Sequence, residues 1–233
     1  MLEFDTAILN YLNQYVGVSP RFDATMVFLS WISLLKMTPL ILILWSFWFI
    51  RDGNRVNRRK DVVLVFLGSC IAMAIARGLS LFLPFRLRPL YNPDLMLHIP
   101  KQLSLESFDH LSSMPSDHAA LAFAIAMGIF LMNRVWGSLA LLHAAFIICL
   151  PRAYLSIHYP TDHIAGAALG VLAAWVTMRL VNIKALADKM MPFEQSRPAT
   201  FYSILLLFSS QMMQMFNEVR IFGTVVKHMI SRL

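Results

Sequence analysis

The sequence is poor in charged residues and in cysteine, and its carboxylates do not cluster. Charged residues make up 14% of the 233 positions, whereas soluble domains carry about 25%. The two cysteines, Cys70 and Cys149, both lie in apolar stretches, at no spacing typical of a zinc site or a redox pair. These absences argue against an ordinary soluble domain, a thiol-based site and a carboxylate site for Mg²⁺ or Zn²⁺.

Apolar residues are abundant instead, at 58% of the chain with a mean hydropathy of +0.62. A membrane-spanning helix requires roughly 20 predominantly apolar residues. Six stretches approach this requirement, at 26–50, 62–85, 119–132, 136–155, 164–181 and 201–216. The last is the least apolar, and a helix lying on the membrane surface is its alternative.

The sequence therefore predicts an all-α fold, a polytopic membrane helix bundle with about six transmembrane helices. Residues 5–16 alternate as a short amphipathic N-terminal helix that is too short to span and could lie in the interface. We expect a single membrane-embedded domain over 1–233, with core motifs at 77–166 and a C-terminal helical segment at 199–233.

The basic residues, which give a net charge of +7, predict the topology rather than a nucleic-acid partner. They concentrate at 51–60, 133–134 and 182–197, the last of which we interpret as a linker. Cytoplasmic loops carry the excess of lysine and arginine. The loop at 86–116 and the turn at 156–163 are then predicted on the outer face.

Three separate segments of this outer face carry side chains suited to phosphate chemistry. In chain order these residues are Arg88, Ser116, Asp117, His118, Arg152, His158 and Asp162. Arginine pairs bind phosphate through several N–H groups, and a helix start adds free backbone N–H groups. A histidine can attack phosphorus while an aspartate four residues later holds its other ring nitrogen. The pattern predicts a phosphate site with a histidine nucleophile.

The same segments resemble the motifs of the type 2 phosphatidic acid phosphatase superfamily. Those motifs are Lys-x6-Arg-Pro, Pro-Ser-Gly-His and Ser-Arg-x5-His-x3-Asp. Here 88–89 ends the first, 115–118 has the sequence Pro-Ser-Asp-His, and 151–162 has the sequence Pro-Arg-x5-His-x3-Asp. The order and the spacing of five and three match. The Pro-Ser-Asp-His variant resembles the bacterial undecaprenyl diphosphatase branch.

The resemblance implies a phosphohistidine mechanism that uses no metal and no other cofactor. His158 would be the nucleophile, Asp162 would orient it, and His118 would be the general acid for the leaving group. The resemblance also implies that Arg88, Ser116 and Arg152 bind the substrate phosphate. We expect Asp117, which lies between Ser116 and His118, to belong to the substrate-binding site as well.

Three positions depart from the family pattern. Leu81 stands in place of the first-motif lysine, Pro151 in place of a serine, and Asp117 in place of a glycine. Charged residues inside spans are costly and often functional. Arg77 and Lys36, both within predicted spans, are therefore further candidates for substrate binding.

Residues outside the motifs have simpler interpretations. His143, in the middle of a span, is expected to form a helix-to-helix hydrogen bond. His163 is interpreted as an interfacial bystander of Asp162. Small residues along one stripe of the fifth span suit close helix contact: Ala165, Ala168, Gly170, Ala173 and Ala174.

The favoured function is hydrolysis of a lipid-linked diphosphate or monophosphate, above all undecaprenyl diphosphate to undecaprenyl phosphate. The expected site is the outer face of a bacterial cytoplasmic (inner) membrane. Alternatives are a phosphatase for phosphatidic acid or phosphatidylglycerophosphate, and a lipid phosphotransferase to lipid A. A non-catalytic transport or scaffold protein would instead have lost a catalytic position. Expected partners are the lipid substrate and membrane lipids, without nucleic acid; the oligomeric state is open.

Overall fold

The structure is a computed structural model that describes residues 3–51, 53–103 and 112–217. Within these ranges the regular structure is helical and contains no strand. The α-helices are α1 Glu3–Asn13, α2 Pro20–Trp31, α3 Ser33–Lys36, α4 Thr38–Phe49, α5 Arg55–Phe82, α6 Asp117–Met132, α7 Arg134–His143, α8 Leu150–Tyr154, α9 Pro160–Arg179, α10 Val181–Ser196 and α11 Pro198–Met213. A π-helical segment, Ala144–Cys149, joins α7 to α8.

The all-α membrane bundle predicted from the sequence is confirmed. Arg55–Phe82, Arg134–Tyr154 and Pro160–Arg179 are long and apolar enough to cross a membrane by length and composition. Thr38–Phe49 and Asp117–Met132 are shorter apolar helices. The count of six spans stays a prediction, since α11 has 16 residues and residues 218–233 of the predicted C-terminal segment lie outside the described residues.

The predicted first span at 26–50 is divided into α2, α3 and α4. Ile32 interrupts the helical run with an extended conformation, and Pro39 lies in the first turn of α4. The break leaves the carbonyl of Ser30 open to the side chain of Lys36, whose Nζ donates to it at 2.7 Å. Lys36 is therefore buried and turned back into the protein rather than extended toward lipid.

The interpretation of 182–197 as a linker is wrong, because this stretch forms helix α10 with Pro192 inside it. Two ion pairs hold α10 against the first turns of α5. Arg59 Nη1 lies 2.6 Å from Glu194 Oε1, and Lys60 Nζ lies 2.6 Å from Asp188 Oδ1. The lysine and proline content that indicated a loop thus belongs to a helix stabilised by tertiary contacts.

Helices α5, α6 and α9 form the centre of the bundle, and α6 and α9 approach each other closely. A Cβ added at Gly166 would lie 2.3 Å from the Ser116 carbonyl oxygen, and one at Gly170 would lie 2.3 Å from that of Ala120. The buried stripe continues through Ala173 and Ala174 as predicted. Ala165 and Ala168 are more exposed and lie outside it, while Gly166 belongs to it.

The predicted N-terminal helix is present as α1, but its buried face is more polar than expected. The residues in this face follow a helical repeat of four: Asp5, Leu9 and Asn13. Asn13 forms two hydrogen bonds with the backbone of His98, from Nδ2 to the carbonyl and from the His98 N–H to Oδ1, each 2.8 Å long. Helix α1 therefore packs on the protein through polar contacts.

Candidate active site

Backbone hydrogen bonds bring the three motif segments together at one end of the bundle, called here the motif end and formed by 86–90, 112–118 and 152–163. The Ser113 N–H donates to the carbonyl of Arg86 at 2.9 Å. On the other side, the Leu90 N–H donates to the carbonyl of Ser156 at 2.9 Å. The segment 86–90 thus lies between the other two, as the expected convergence of helix ends requires.

His158 is buried, and its hydrogen bonds define its tautomer. Nδ1 lies 2.9 Å from the Ser113 carbonyl oxygen, which can only accept, so Nδ1 carries the proton. In the neutral ring Nε2 then has a free lone pair. Arg88 Nη1 lies 3.2 Å from this nitrogen and donates to the Ile157 carbonyl at 3.0 Å. The lone pair of His158 therefore points to the arginine that would bind phosphate.

The pKa of His158 is lowered mainly because burial disfavours the imidazolium. The charge of Arg88 lowers it further, whereas the nearby negative charge of Asp162 acts in the opposite direction. Burial likewise lowers the pKa of Arg88, opposed by the charges of Asp117 and Asp162. His158 is consequently neutral near pH 7, as a nitrogen nucleophile must be.

Asp162 holds His158 partly through Ser113. Its Oδ2 lies 3.6 Å from His158 Nδ1, beyond hydrogen-bond distance, and accepts from the Tyr159 N–H at 2.8 Å. The Ser113 hydroxyl donates to the same oxygen, and the Ser113 carbonyl accepts from His158. The other oxygen, Oδ1, lies 2.5 Å from Arg86 Nη1.

His118 repeats the arrangement of His158 with different partners. Its Nδ1 lies 2.9 Å from Asp117 Oδ1, and its Nε2 lies 2.7 Å from Arg152 Nη2. A carboxylate oxygen accepts and a guanidinium donates, so Nδ1 carries the proton and Nε2 has the lone pair. Each histidine thus has its Nε2 lone pair directed at a buried arginine.

Asp117 lies behind His118, and both of its oxygens are engaged. Oδ1 contacts His118, and Oδ2 lies 3.3 Å from Arg77 Nε. Arg77 Nη2 also donates to the Met215 carbonyl at 3.1 Å. Asp117 and Arg77 thus contact each other, and the expectation that they bind substrate stays a prediction.

Lys36, like Arg77, stays a candidate to replace the missing motif lysine. It is close enough to interact electrostatically with Asp117, His118 and Arg152. His143 Nε2 lies 2.9 Å from the Lys36 carbonyl oxygen. The helix-to-helix hydrogen bond expected for His143 is therefore present, and it anchors the backbone that carries Lys36.

Ser116 is the N-cap of α6, as its place at a helix start predicted. Its Oγ accepts from the Ala119 N–H at 3.4 Å, and its own N–H donates to the Asp162 carbonyl at 3.1 Å. The start of α6 is thereby fixed to the residue that supports His158.

His163 is not an interfacial bystander, because it is buried beside His158. The two ring centroids are 5.3 Å apart. Neither ring nitrogen of His163 has a hydrogen-bond partner among the residues that the structure describes. Its position next to Asp162 in the motif was the one available signal in the sequence.

Other residues that sequence reasoning missed surround Asp162. Arg86, Ser113 and Thr161 contact it or its neighbours, and Asp5 reaches them from α1. Arg86 stands two positions before the motif arginine, which is the signal that could have found it. Asp5 has no local signal. In the described part of the chain, no three His, Cys, Asp or Glu residues are grouped to hold a metal ion.

Residues 62–185, more than half of the chain, match the PAP2 superfamily. The chain belongs to this superfamily. This PAP2 chain is 29% identical over 104 residues to the putative undecaprenyl-diphosphatase YbjG of Escherichia coli K12, covering 44% of this chain and 52% of that protein. It is 38% identical over 63 residues to the lipid A 4'-phosphatase of Bacteroides thetaiotaomicron, covering 27% and 28%. It thus spans about half or less of the length of these curated relatives.

The fold of this PAP2 chain is also seen in solved structures. The transmembrane PAP2-type phosphatidylglycerolphosphate phosphatase of Bacillus subtilis aligns with a TM-score of 0.52 at 21% identity. The alignment covers 75% of this chain and 82% of that one. At this identity the likeness concerns the fold alone.

Proposed function

We propose that the chain is a metal-independent membrane phosphatase that forms a phosphohistidine on His158 and hydrolyses a lipid-linked phosphate or diphosphate. The observation that carries the proposal is the pair of histidines whose Nε2 atoms face Arg88 and Arg152, at 3.2 and 2.7 Å. Two cations and two lone pairs converge where a tetrahedral phosphoryl group can be held and attacked in line.

The first step transfers the phosphoryl group to His158. An entering phosphate dianion takes up the N–H groups of Arg88 and Arg152, which releases both Nε2 atoms. His158 Nε2 then forms a bond to phosphorus while the bond to the leaving oxygen breaks. Once Arg152 has turned to the phosphate, His118 Nε2 takes up a proton from solvent and donates it to the leaving oxygen. Asp117 stabilises the imidazolium of His118 through Nδ1.

The second step regenerates the enzyme. His118 now accepts a proton from water, whose oxygen attacks phosphorus as the bond to His158 Nε2 breaks. Inorganic phosphate leaves, and His158 returns to the neutral tautomer that Ser113 accepts from. The two arginines stabilise the charge in both transition states, which is the role that a metal fulfils in other phosphatases.

Undecaprenyl diphosphate is the substrate we favour, hydrolysed to the monophosphate on the outer face of a bacterial cytoplasmic membrane. The support is the Pro-Ser-Asp-His form of 115–118 and the similarity to a putative undecaprenyl-diphosphatase. The outer location is supported by the basic residues at 51–60 and 133–134, which lie at the ends of α5 and α6 opposite to the motif segments. The similarity to a lipid A 4'-phosphatase supports lipid A as the second candidate substrate.

A phosphate-release assay tests both parts of the proposal. Purified protein in detergent is given polyprenyl diphosphate, phosphatidic acid, phosphatidylglycerophosphate and lipid A, with and without EDTA. We expect the highest kcat/KM with polyprenyl diphosphate, no effect of EDTA, and loss of activity in His158→Ala. The Glu3→Gln variant, which alters an exposed charge on α1, is the matched control. Release from phosphatidic acid but not polyprenyl diphosphate would contradict the substrate, and an active His158→Ala would contradict the mechanism.

Label from ³²P-substrate separates hydrolysis from transfer and from a scaffold role. Rapid quenching in alkali should retain label on the protein, because phosphohistidine is stable to base and labile to acid. Transfer of label to an added glycolipid would identify a phosphotransferase instead. A non-catalytic scaffold would show neither, although His118, His158 and Asp162 are all in place in this chain.

A further inference from the structure

A buried ionic chain connects helix α1 to the carboxylate beside the proposed nucleophile. Arg86 lies at its centre, with Nη2 2.6 Å from Asp5 Oδ2 and Nη1 2.5 Å from Asp162 Oδ1. Both carboxylates are fully buried, so solvent satisfies neither. The two terminal nitrogens of the guanidinium each donate to a different carboxylate, which fixes the orientation of the group.

Thr161 contacts both Asp5 and Arg86, so the three residues form a ring of hydrogen bonds. Asp5 accepts hydrogen bonds from the Thr161 N–H at 2.9 Å and from its hydroxyl at 2.7 Å. Arg86 Nη1 also donates to the Thr161 hydroxyl at 2.9 Å. Thr161 lies in the first turn of α9, where a nearby anion is favoured by the free N–H groups. Asp5 therefore holds both Arg86 and the residue next to Asp162.

The guanidinium of Arg86 is fixed in a third direction by the ring of Tyr159. Its Cζ lies 4.0 Å from the ring centroid, a stacking that suits a planar cation. The Arg86 carbonyl accepts from the Ser113 N–H at 2.9 Å. A lysine has neither the plane nor the fork to reproduce these contacts.

We propose that Arg86 and Asp5 are positioning residues for phosphoryl transfer, so that helix α1 is a working part of the active site. The proposal rests on His158 being the nucleophile, as argued above. Asp5 sets the rotamer of Arg86, and Arg86 fixes the orientation of Asp162. Asp162 in turn holds Ser113, whose carbonyl accepts the Nδ1 proton of His158.

The kinetic signature is a loss of kcat without a change of KM. We expect Arg86→Gln to lower kcat about 10²-fold, the usual effect of a small misplacement of a catalytic group, and Arg86→Lys to recover little of it. Asp5→Asn, which is isosteric, should lower kcat roughly tenfold, as for other residues that orient a catalytic group from behind. The matched controls are Glu3→Gln and Arg21→Gln, which remove exposed charges from α1 and α2 and should leave kcat unchanged.

The pH profile distinguishes positioning from a loss of folded protein. The charged or titratable groups that face His158 are Arg88, Arg152, Asp162 and His163. Removing the cation of Arg86 leaves Asp162 uncompensated, which favours the imidazolium and moves the acid limb of kcat/KM to higher pH. Asp5→Asn leaves Arg86 less neutralised and moves that limb to lower pH. A purely structural role would move neither.

A double-mutant cycle completes the test. If Asp5 acts through Arg86, adding Asp5→Asn to Arg86→Gln should lower kcat less than Asp5→Asn does alone, and the remaining loss measures the separate contact of Asp5 with Thr161. Independent losses that add, or a pH limb unmoved by both single changes, would overturn the proposal. If Arg86→Gln does not purify as a folded protein, the isosteric Asp5→Asn variant tests the proposal instead. Its kcat should fall and its acid limb should move to lower pH. An active His158→Ala would instead overturn the proposed function, so the two failures are distinguishable.

Discussion

Two regions of the molecule bury arginine to the same extent and surround it differently. Arg59, at the start of α5, is 7% exposed, and Arg88 and Arg152 at the motif end are 6% and 5% exposed. Arg59 contacts Glu194 and lies 5.1 Å from the centroid of the Trp48 ring. Arg152 instead contacts the lone pair of His118 and forms no ion pair with residues that the structure describes.

The difference shows how the surroundings of a buried charge indicate its role. The Arg59 cluster is closed, since Glu194 also accepts from Tyr202 and Tyr202 accepts from Trp48. A closed cluster of this kind holds helices together. Cations that face neutral imidazoles are costly to bury and are stabilised when an anion enters. The Arg59 cluster contains its own counter-charge, whereas the contact of Arg152 with His118 supports the proposal that the motif end binds an anion.

The largest effect should follow from Arg152→Gln. We expect kcat/KM to fall about 10³-fold, as when a donor that stabilises transition-state charge is removed. The melting temperature should stay the same or rise, because a buried cation without a carboxylate partner is lost. Orthovanadate, a phosphate analogue, should raise the melting temperature of the parent but not of the variant. A variant that melts far lower would place Arg152 with the structural arginines.

Arg59→Gln should give the reverse result. It leaves the Glu194 carboxylate buried without its cation, which costs about 3–5 kcal/mol of stability for a buried pair. The folded fraction should keep the parental KM, since Arg59 is more than 20 residues from the motif end of α5, roughly 30 Å along the helix. Thermal melts and kinetics at low temperature check both statements. A change in KM would break the comparison between the two regions.

The pH dependence of kcat/KM should show the effect of the cations on His158. Because burial and Arg88 hold the pKa of His158 below its ordinary value, the neutral nucleophile persists through pH 7. Activity should fall about tenfold per pH unit only below roughly pH 6.5. Arg88→Gln removes a cation, so the acid limb should move to higher pH. A shift of the acid limb to lower pH would contradict the contact between Arg88 and His158.

The smallest effect concerns the backbone next to His158. Ser156 has a φ of 56°, in the left-handed region that suits glycine. Ser156→Gly should relieve about 1 kcal/mol of strain and raise the melting temperature by about 2 °C. kcat should not change, because Ser156 contributes backbone contacts alone to the described site. No equivalent gain is expected from changes in the closed Arg59 cluster.

Short-range patterns in the sequence predicted the centre of the site. The apolar runs predicted the helices. The spacing of Arg152, His158 and Asp162 correctly predicted that these residues lie at one helix junction. His118 and Ser116 followed from the start of α6. These features depend on local periodicity and on residues a few positions apart, which a single sequence contains.

Contacts between distant segments could not be predicted. Arg86 and Asp5 are 81 positions apart, and nothing in either segment indicates the other. The contact between Arg77 and Asp117 was likewise not predicted, because it depends on how α5 packs against α6. The helix α10 was missed because its lysines and Pro192 were interpreted as a linker, whereas ion pairs with Arg59 and Lys60 hold it against α5.

The contact of Gly166 and Gly170 with the carbonyl oxygens of α6 has a consequence for how such proteins diversify. Because backbone meets backbone there, the spacing between the helix that carries His118 and the helix that follows His158 does not depend on any side chain that mutation could resize. Substitutions elsewhere in the bundle should therefore leave the relative position of His118 and His158 unchanged. Helix α2 and the exposed face of α1, which points away from Asp5, are free to vary, and with them the lipids that reach the site.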